Sequence, residues 1–231
     1  MAAAAKVVCD FAYNGDLNQL KLKVNENAQL ASACDQSGRS PIHWAASRGH
    51  AAVVDFLLTQ HSVNVDQRDE SNWTPLLISV SAGKEDIVRN LINRGAQINA
   101  VNSTGQCALH YAASKDRYQI AELLLERGAD AIVADCVSTT PLHRAAAKGN
   151  VKMTKLLLSY NADPNYQDVE GNTPLHVACE DSELEVAKLL VESGGSLTQR
   201  NKDEKSPMDM ASPTDRRQLQ RLQGTGEIMS S

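Results

Sequence analysis

The amino-acid sequence predicts an all-α solenoid of seven helix-turn-helix repeats joined by β-hairpin-like fingers. One observation is a motif that returns about every 33 residues. A second is that each copy contains two short segments with helical apolar spacing and a turn between them. The third is composition: only 4% of the 231 residues are aromatic, so Leu, Ala and Val supply the apolar content. Small apolar side chains suit short helices that pack closely.

The repeated motif ends in a helix stop, and its copies keep their register along the chain. Gly15 of the first copy holds the same place as Gly49 of the second, and a degenerate copy, SPMDMA, begins at Ser206. The clearest copies are SPIHWAASRGH (40–50), TPLLISVSAGK (74–84), CALHYAASKDR (107–117), TPLHRAAAKGN (140–150) and TPLHVACEDSE (173–183). A period of 33 with T-P-L-H-x-A is the ankyrin signature. We predict one domain, 1–231, with repeats at 3–36, 37–70, 71–103, 104–136, 137–169, 170–202 and 203–225 and a tail at 226–231.

Each element of a repeat has a local signal. Thr140 is a good N-cap and Pro141 a good first helical residue, so the first helix begins there and ends near Gly149. The second helix has apolar residues at i, i+3 and i+4, and a turn-rich stretch such as NYQDVEGN then leads to the next repeat. The apolar triplets are Val53/Phe56/Leu57, Ile120/Leu123/Leu124, Met153/Leu156/Leu157 and Val186/Leu189/Leu190.

Three departures from the motif predict where the solenoid is less stable, and the last repeat predicts how it ends. Cys107 replaces the capping Thr, Leu77 replaces the motif His, and Asn90 replaces an apolar residue, so we expect the third and fourth repeats to be softer than the rest. Helices this short need stacked neighbours, and seven layers at about 8–10 Å predict a rod roughly 60–70 Å long. The polar last repeat begins a helix at Ser212, and the tail from Gly224 is expected to be disordered.

Composition and motif content exclude several classes of function. A net charge of −5 argues against general nucleic-acid binding, and no apolar run reaches the length of a membrane span. The five scattered cysteines indicate reduced thiols. The motif histidines fall about one helix spacing apart, roughly 10 Å, so they cannot share a metal and are predicted to bind the cap and a neighbouring turn. They are His43, His110, His143 and His176. With no phosphate loop, GxSxG or HExxH, we expect neither enzyme activity nor a cofactor.

Residues that vary between repeats define a candidate protein-binding surface. The residue after the motif His, and the one four further on, are predicted to face the inner side of the solenoid. Aromatic anchors inside a charged rim are typical of protein interfaces. We expect acidic residues on the fingers of the second and third repeats and basic residues along the fourth and fifth. The predicted partner-binding residues are Asp35, Arg39, Trp44, Arg48, Asp69, Glu70, Trp73, Tyr111, Lys115, Arg117, Arg144, Lys148 and Asp181.

Longer strings resemble a narrower family. VVCDFAYNGDLNQLK, GAQINAVNSTGQCALHYAASKDR, HRAAAKGNVKM and QDVEGNTPLHVAC resemble the gankyrin family of proteasome-assembly chaperones, in register along essentially the whole chain. The resemblance implies a monomeric, non-catalytic binder, in cytoplasm and nucleus, of the C-terminal domain of one ATPase subunit of the 26S regulatory particle. Arg39, Glu70, Lys115 and Arg117 match positions that the family uses, whereas Ser37 stands where the family has an acid.

Two other classes of function stay open at this point. The first is a scaffold or regulator in kinase, retinoblastoma or ubiquitin-ligase pathways, because the family is also associated with a cyclin-dependent kinase and with the retinoblastoma protein. The latter association uses an L-x-C-x-E sequence, where this chain has Val177-Ala-Cys179-Glu-Asp181. An enzyme is the remaining class. Binding experiments distinguish the assembly chaperone from the scaffold. Hydrolase and metal assays test for an enzyme.

Overall fold

The computed structural model describes the backbone of residues 2–226 and the side chains of residues 3–222. Contacts divide the chain into two compact units. The first unit comprises Met1–Ala112 and Glu126–Ala129, and the second comprises Ala113–Leu125 and Asp130–Ser231. One domain and an elongated rod stay predictions. Within the described residues, no helix combines the length and the apolarity that crossing a membrane requires.

The described residues form helix pairs in the predicted order. A first and a second helix alternate along the chain, with a finger between one pair and the next. The pairs are α1 (Ala2–Asn14) and α2 (Leu17–Glu26), α3 (Pro41–Arg48) and α4 (Ala51–Leu58), α5 (Pro75–Ala82) and α6 (Glu85–Asn93), α7 (Ala108–Ser114) and α8 (Tyr118–Glu126), α9 (Pro141–Ala146) and α10 (Val151–Ser159), α11 (Pro174–Glu180) and α12 (Leu184–Glu192), and α13 (Pro207–Met210) and α14 (Pro213–Gly226). A short 3-10 helix, Ala28–Ser32, follows α2. The predicted all-α repeat fold is confirmed.

Two predicted boundaries are wrong in detail. Helix α9 ends at Ala146, and a turn carries the chain on to Gly149. Gly149 has φ +61°, in the left-handed region that favours glycine, and a Cβ there would force the Glu183 carboxylate to move. Helix α14 continues through Gly224 to Gly226, because the polar sequence after Pro213 remains helix-compatible. The rest of the predicted tail, 227–231, lies outside the described residues.

The motif histidine joins two parts of the fold. In α9 the backbone N–H of Thr140 donates to His143 Nδ1 at 3.2 Å, and the Thr140 hydroxyl lies 2.9 Å from the same nitrogen. Because Nδ1 accepts the amide proton, the neutral ring carries its proton on Nε2, which donates to the Asn172 carbonyl at 3.1 Å. His43 and His176 make the same two sets of contacts. The imidazole therefore caps its own helix and fastens the next finger, as predicted.

The third repeat lacks this link. Thr74 still caps α5 by accepting the Leu77 N–H at 3.3 Å, but Leu77 is a buried apolar side chain with no ring nitrogen to reach the following finger. Before α7, Cys107 N–H donates to His110 Nδ1 at 3.2 Å and Cys107 Sγ lies 3.1 Å from the same nitrogen, so the fourth repeat keeps the cap with sulfur in place of the hydroxyl. Leucine is thus sterically acceptable at the histidine position.

Each finger closes around one side chain that the sequence analysis did not single out for this purpose. An Asp or Asn oxygen accepts the backbone N–H groups two and four residues further on, at distances of 2.8–3.1 Å. Adjacent fingers are also joined by backbone bonds, for example from Glu70 N–H to Ser37 O at 3.2 Å and from Val169 N–H to Val137 O at 3.0 Å. The finger residues, one per repeat, are Asp35, Asp69, Asn102, Asp135, Asp168 and Asn201.

The core of each unit lies between helix layers. In the first unit α3 packs between α1 and α5, and in the second α11 packs between α9 and α13. Of the predicted apolar triplets, Phe56 and Leu189 are half-buried and the remainder are buried. Asn90, the departure from the apolar pattern, donates from Nδ2 to Asp55 and so joins α6 to α4. This polar contact explains why the position tolerates an amide.

We predict that His143→Leu destabilises the protein by about 2–4 kcal/mol, because it leaves the Asn172 carbonyl and the Thr140 N–H without their buried partner. Urea unfolding followed by circular dichroism measures this. Leu77 shows that leucine fits at this register, so the loss isolates the hydrogen bonds rather than a clash. A free energy of unfolding equal to that of the unchanged protein would contradict the role given to the imidazole.

We predict that Thr154→Val stabilises the protein by about 1 kcal/mol. Thr154 is fully buried in α10, and its hydroxyl has no hydrogen-bond partner among the described residues. Valine keeps the branched shape and removes the buried hydroxyl. The same urea titration measures the gain, with Thr154→Ala as the control that removes a methyl group as well and should not stabilise.

Candidate partner-binding surface

Trp44 is the centre of the candidate surface in the first unit. Its Nε1–H donates to Asp35 Oδ2 at 2.8 Å, which fixes the indole ring against the first finger. Tyr13 meets the ring edge-on, with centroids 5.7 Å apart and planes at 72°. The Arg39 guanidinium lies over the same indole at 5.1 Å. The structure therefore brings three predicted residues together, with Asp35 and Arg39 both in contact with Trp44.

The buried Asp69 carboxylate forms an ion pair with Arg39. Arg39 Nε–H donates to Asp69 Oδ2 at 3.0 Å, and the Asp69 side chain is only 4% exposed while that of Arg39 is 31% exposed. Asp69 is one of the residues predicted to meet a partner. The structure instead gives its carboxylate two internal tasks, because Oδ1 closes the finger and Oδ2 holds Arg39. Arg39 keeps surface for a partner, and Asp69 keeps almost none.

Trp73 and Tyr111 form a second aromatic pair in the first unit. Their ring centroids are 4.7 Å apart and the planes are tilted by 43°. The Tyr111 hydroxyl donates to Gln106 Oε1 at 2.6 Å and accepts from Asn102 Nδ2 at 2.8 Å. Both rings are half-buried, so the pair presents a fixed, partly exposed aromatic surface of the kind found at interface anchors.

An open cleft of about 860 Å³ lies beside Trp44. Predicted residues Asp35, Trp44 and Glu70 line it, together with Ala3, Lys6, Cys9, Asp10, Tyr13, Cys34, Gln36 and Ser37. Sequence reasoning missed the contribution of α1, including Lys6, Asp10 and Tyr13. A signal existed for one of them, because Asp10 lies one repeat before Trp44 and so occupies the same register in the first repeat.

The pKa of Asp35 is lowered in this cleft. Burial alone would raise its pKa, but hydrogen bonds from the Ser37 hydroxyl and amide, the Trp44 indole and the Arg39 amide outweigh burial and lower the pKa below its ordinary value. Cys9 shows the opposite effect, since burial and the nearby Asp35 carboxylate raise the pKa of its thiol to about 12. The cleft therefore holds a fixed negative charge and a neutral, unreactive thiol.

Arg144 is the held arginine of the second unit. Its Nη2 donates to Asp135 Oδ2 at 2.8 Å, with side-chain exposures of 36% for Arg144 and 3% for Asp135. Burial would raise the Asp135 pKa, but hydrogen bonds from Thr139 N–H and Arg144 prevail and keep the pKa below its ordinary value. As in the first unit, a finger carboxylate closes its turn with one oxygen and positions a surface residue with the other.

The other predicted residues of the second unit are exposed. Lys115 follows α7, Arg117 precedes α8, and Lys148 lies in the turn after α9. Asp181 is the C-cap of α11 and is also exposed. In the first unit, Arg48 is exposed at the end of α3, where its guanidinium lies 4.7 Å from the Tyr13 ring centroid. Their roles in partner binding stay predictions.

The motif histidines are structural groups. Burial lowers the pKa of His43, His143 and His176, so these rings are neutral at pH 7 and occupied by the bonds described above. Among the described residues, no group of three His, Cys, Asp or Glu side chains is arranged to hold a metal ion. Their chemistry is hydrogen bonding within and between repeats.

The segment compared with L-x-C-x-E is part of a packed helix. Val177 and Cys179 belong to α11, and Cys179 is 3% exposed, with burial raising the pKa of its thiol to about 12. Reading the segment as an extended peptide would require α11 to unfold and expose this core residue. The structure thus argues against a retinoblastoma-binding role for residues 177–181.

The paired helices, the histidine-fastened fingers and the surface residues that they position define a repeat protein of the protein-binding type. A family model described as ankyrin repeats (3 copies) matches residues 8–102, 64–135 and 131–201. The chain belongs to the ankyrin-repeat family. The fold is also that of the ankyrin repeat domain of Bcl-3, with a TM-score of 0.81 and 25% identity over 93% of this chain and 97% of that one.

Similar proteins include proteasome subunits, in agreement with the resemblance noted from the sequence. The 26S proteasome non-ATPase regulatory subunit 10 of Rattus norvegicus is 50% identical over 69 residues, which are 30% of this chain and 29% of that protein. The probable 26S proteasome regulatory subunit p28 of Saccharomyces cerevisiae is 36% identical over 90 residues, 37% of this chain and 40% of its own length. An ankyrin repeat-containing protein of Schizosaccharomyces pombe, C6C3.08, is 36% identical over 100 residues, 42% of this chain and 43% of its own. In each case the matched stretch spans less than half of the relative.

We predict that stability falls as the pH drops from 7.5 to 5.5. The unfolded histidines take up protons near their ordinary pKa of about 6.5, whereas His43, His143 and His176, with lowered pKa values, remain neutral in the fold. Their contribution is therefore complete above about pH 6.5 and is lost below it. The urea midpoint should decrease across this interval, and less so in His143→Leu. A midpoint independent of pH would refute the assignment.

Proposed function

We propose that this protein is a non-catalytic binding chaperone. In this proposal it holds the C-terminal domain of one ATPase subunit of the 26S proteasome regulatory particle during assembly of the base, and it acts by stoichiometric binding in the cytoplasm and the nucleus. Its supports are the membership in the ankyrin-repeat family and the similarity to proteins named as 26S proteasome regulatory subunits. The observation that carries a binding role is structural: each unit presents an arginine held by a buried carboxylate.

A held arginine is well suited to binding without chemistry. Arg39 and Arg144 each use part of the guanidinium on a finger aspartate and leave about a third of the side chain exposed. Because their positions are already fixed, less side-chain entropy is lost when a partner carboxylate binds. Trp44, beside Arg39, and the Trp73–Tyr111 pair supply aromatic surface in the first unit. Anchors of this type commonly provide most of the binding energy of an interface.

Exposed charges set the choice of partner. Lys115, Arg117 and Lys148 in the second unit suit acidic side chains of a client, and Glu70 in the first unit suits a basic one. Such charges act mainly on partner selection and association rate. The proposal needs no catalytic group, since binding alone shields the client until assembly proceeds.

Affinity capture from cell extract tests this function against the alternative of a scaffold in kinase, retinoblastoma or ubiquitin-ligase pathways. The immobilised full chain should recover one proteasomal ATPase subunit in stoichiometric amount, as measured by quantitative mass spectrometry. Recombinant C-terminal domains of the individual ATPase subunits then identify the client by direct titration. Recovery of kinases with no proteasome component would overturn the proposal in favour of the alternative.

We predict that the double substitution Lys115→Glu and Lys148→Glu weakens binding of the ATPase C-terminal domain by about tenfold to a hundredfold at low salt, because it places acids where the client presents acids. Isothermal titration calorimetry measures the affinity, and circular dichroism should report an unchanged fold, since both residues are exposed.

Lys152→Glu with Lys155→Glu is the matched control for this prediction. Both lysines are exposed on α10, so the control makes the same change in net charge within the same unit. The control should bind nearly as well as the unchanged protein. Equal loss in the two double variants would show that net charge alone, rather than the predicted surface, governs binding, and equal affinity in all three proteins would reject the surface altogether.

A further inference from the structure

Arg48 is an exposed cation whose position is fixed by an aromatic ring. Its guanidinium lies 4.7 Å from the Tyr13 ring centroid, and within the described residues it has no ion pair or hydrogen bond. A cation–π contact holds the guanidinium near the ring without giving its N–H donors a carboxylate or carbonyl acceptor. Arg48 is therefore set to donate to a carboxylate that the chain itself does not supply.

A second cation lies at the same end of α3. The Lys84 side chain covers Gly49, and its Nζ is 3.2 Å from the place a Cβ on Gly49 would occupy. Gly49 directly follows Arg48 and has φ +90°, so the backbone there leaves room for the lysine. Lys84 also has no acidic partner in the described part of the chain. The carboxyl end of α3 is thus a basic edge composed of Arg48 and Lys84.

The opposite edge of the same surface is acidic on balance, because the cleft carries three carboxylates against one lysine, Lys6, and the nearby Arg39 is paired with Asp69. Asp35 stands before the start of α3 at Pro41, and Glu70 on the next finger lines the cleft beside it. Neither Asp10 nor Glu70, the two other carboxylates of the cleft, forms an ion pair within the described residues. Helix α3 has eight residues and so separates the two edges by about 12 Å.

An aromatic strip joins the two edges. Tyr13 touches Arg48 through its face and Trp44 through a T-shaped contact, and Trp44 is bonded in turn to Asp35. Charges of opposite sign therefore border an aromatic centre across the width of the first unit. The predicted arrangement places acid and base on different repeats along the chain, and this further gradient runs along α3, with contributions from the repeats on either side of it.

We propose that Arg48 is a specificity-determining residue of the first-unit cleft, which binds a partner segment carrying an acidic, an apolar and a basic side chain in that order. The acidic side chain contacts Arg48 with support from Lys84, the apolar one covers Tyr13 and Trp44, and the basic one enters the cleft toward Glu70. Tyr13 is a positioning residue, because its ring holds the guanidinium. The inference rests on the proposed function and deepens it by defining the chemistry of the client segment.

The order of charges along the partner segment determines its orientation in the cleft as well as its affinity. A segment with the reversed order would place its acid against Glu70 and its base against Arg48, and like charges at both edges oppose binding. A helical segment spans the edges in about two turns, because seven residues rise about 10.5 Å. The cleft thus discriminates between two orientations of the same composition.

Peptide titration tests the proposal independently of any client. The probe is a helical peptide with Glu, Leu and Arg at positions i, i+4 and i+7, added to the ¹⁵N-labelled full chain, and the signal is the Trp44 indole N–H, assigned with the Trp73→Phe variant. We expect a saturable shift of that signal. Affinity should fall about tenfold in Arg48→Ala, and Arg94→Ala, which removes another exposed cation of the same unit, should leave it unchanged.

A thermodynamic cycle identifies the contact. Replacing the peptide Glu by Gln should weaken binding to the unchanged protein about tenfold and have little further effect in Arg48→Ala. Tyr13→Phe should retain the affinity, since the ring face is kept, whereas Tyr13→Leu should reproduce the loss. Absence of a saturable shift, equal affinity for the reversed peptide, or a Glu-to-Gln effect that persists in Arg48→Ala would each overturn the proposal.

The client experiment separates this inference from the proposed function. If no ATPase C-terminal domain binds the unchanged protein, the proposed function fails while the peptide result still decides the role of Arg48. If the domain binds and Arg48→Glu weakens it at least tenfold, both are supported. If the domain binds equally well to Arg48→Glu and the peptide cycle shows no coupling, the inference alone is wrong.

Discussion

The fold depends on a buried imidazole that, in the second, fifth and sixth repeats, satisfies hydrogen-bonding groups on both sides. In the second to sixth repeats a first helix of six to eight residues leaves most of its terminal backbone groups without helical partners, and a finger has no sheet to join. In α9, His143 accepts the amide proton at the helix start and donates to the carbonyl of the following finger. One buried neutral ring thereby provides hydrogen bonds both to the start of its helix and to the following finger.

The finger carboxylate couples this framework to the surface. In Asp35 and Asp135, Oδ1 closes the turn, and Oδ2 fixes Trp44 or Arg144 on the first helix that follows. The third repeat has Ile78 at that place, so Asp69 Oδ2 receives Arg39 from the preceding finger instead. Because the same residue closes the turn and orients a side chain of the candidate surface, that side chain is already ordered by the fold.

Electrostatics on this surface follow from which charges are used internally. Asp69 and Asp135 are almost fully buried and serve their arginines, so they do not contribute to an acidic rim. Arg48 and Glu70 are exposed and form no ion pair within the described residues. The separation of charge in the first unit therefore runs across α3, from its finger to its last turn. Counting acids and bases repeat by repeat does not detect this direction.

Local sequence was sufficient to predict the repeat, its period, the caps, and the histidine and glycine positions, because these depend on backbone geometry that recurs about every 33 residues. It also selected Trp44, Arg39 and Arg144 as surface residues from their register. Packing in three dimensions was needed to establish that Asp69 is buried beneath Arg39, that α1 contributes to the cleft, and that Asn90 pairs with Asp55. Those facts depend on contacts between side chains of different repeats. A periodic pattern cannot predict them, because packing sets the direction of a side chain across repeats.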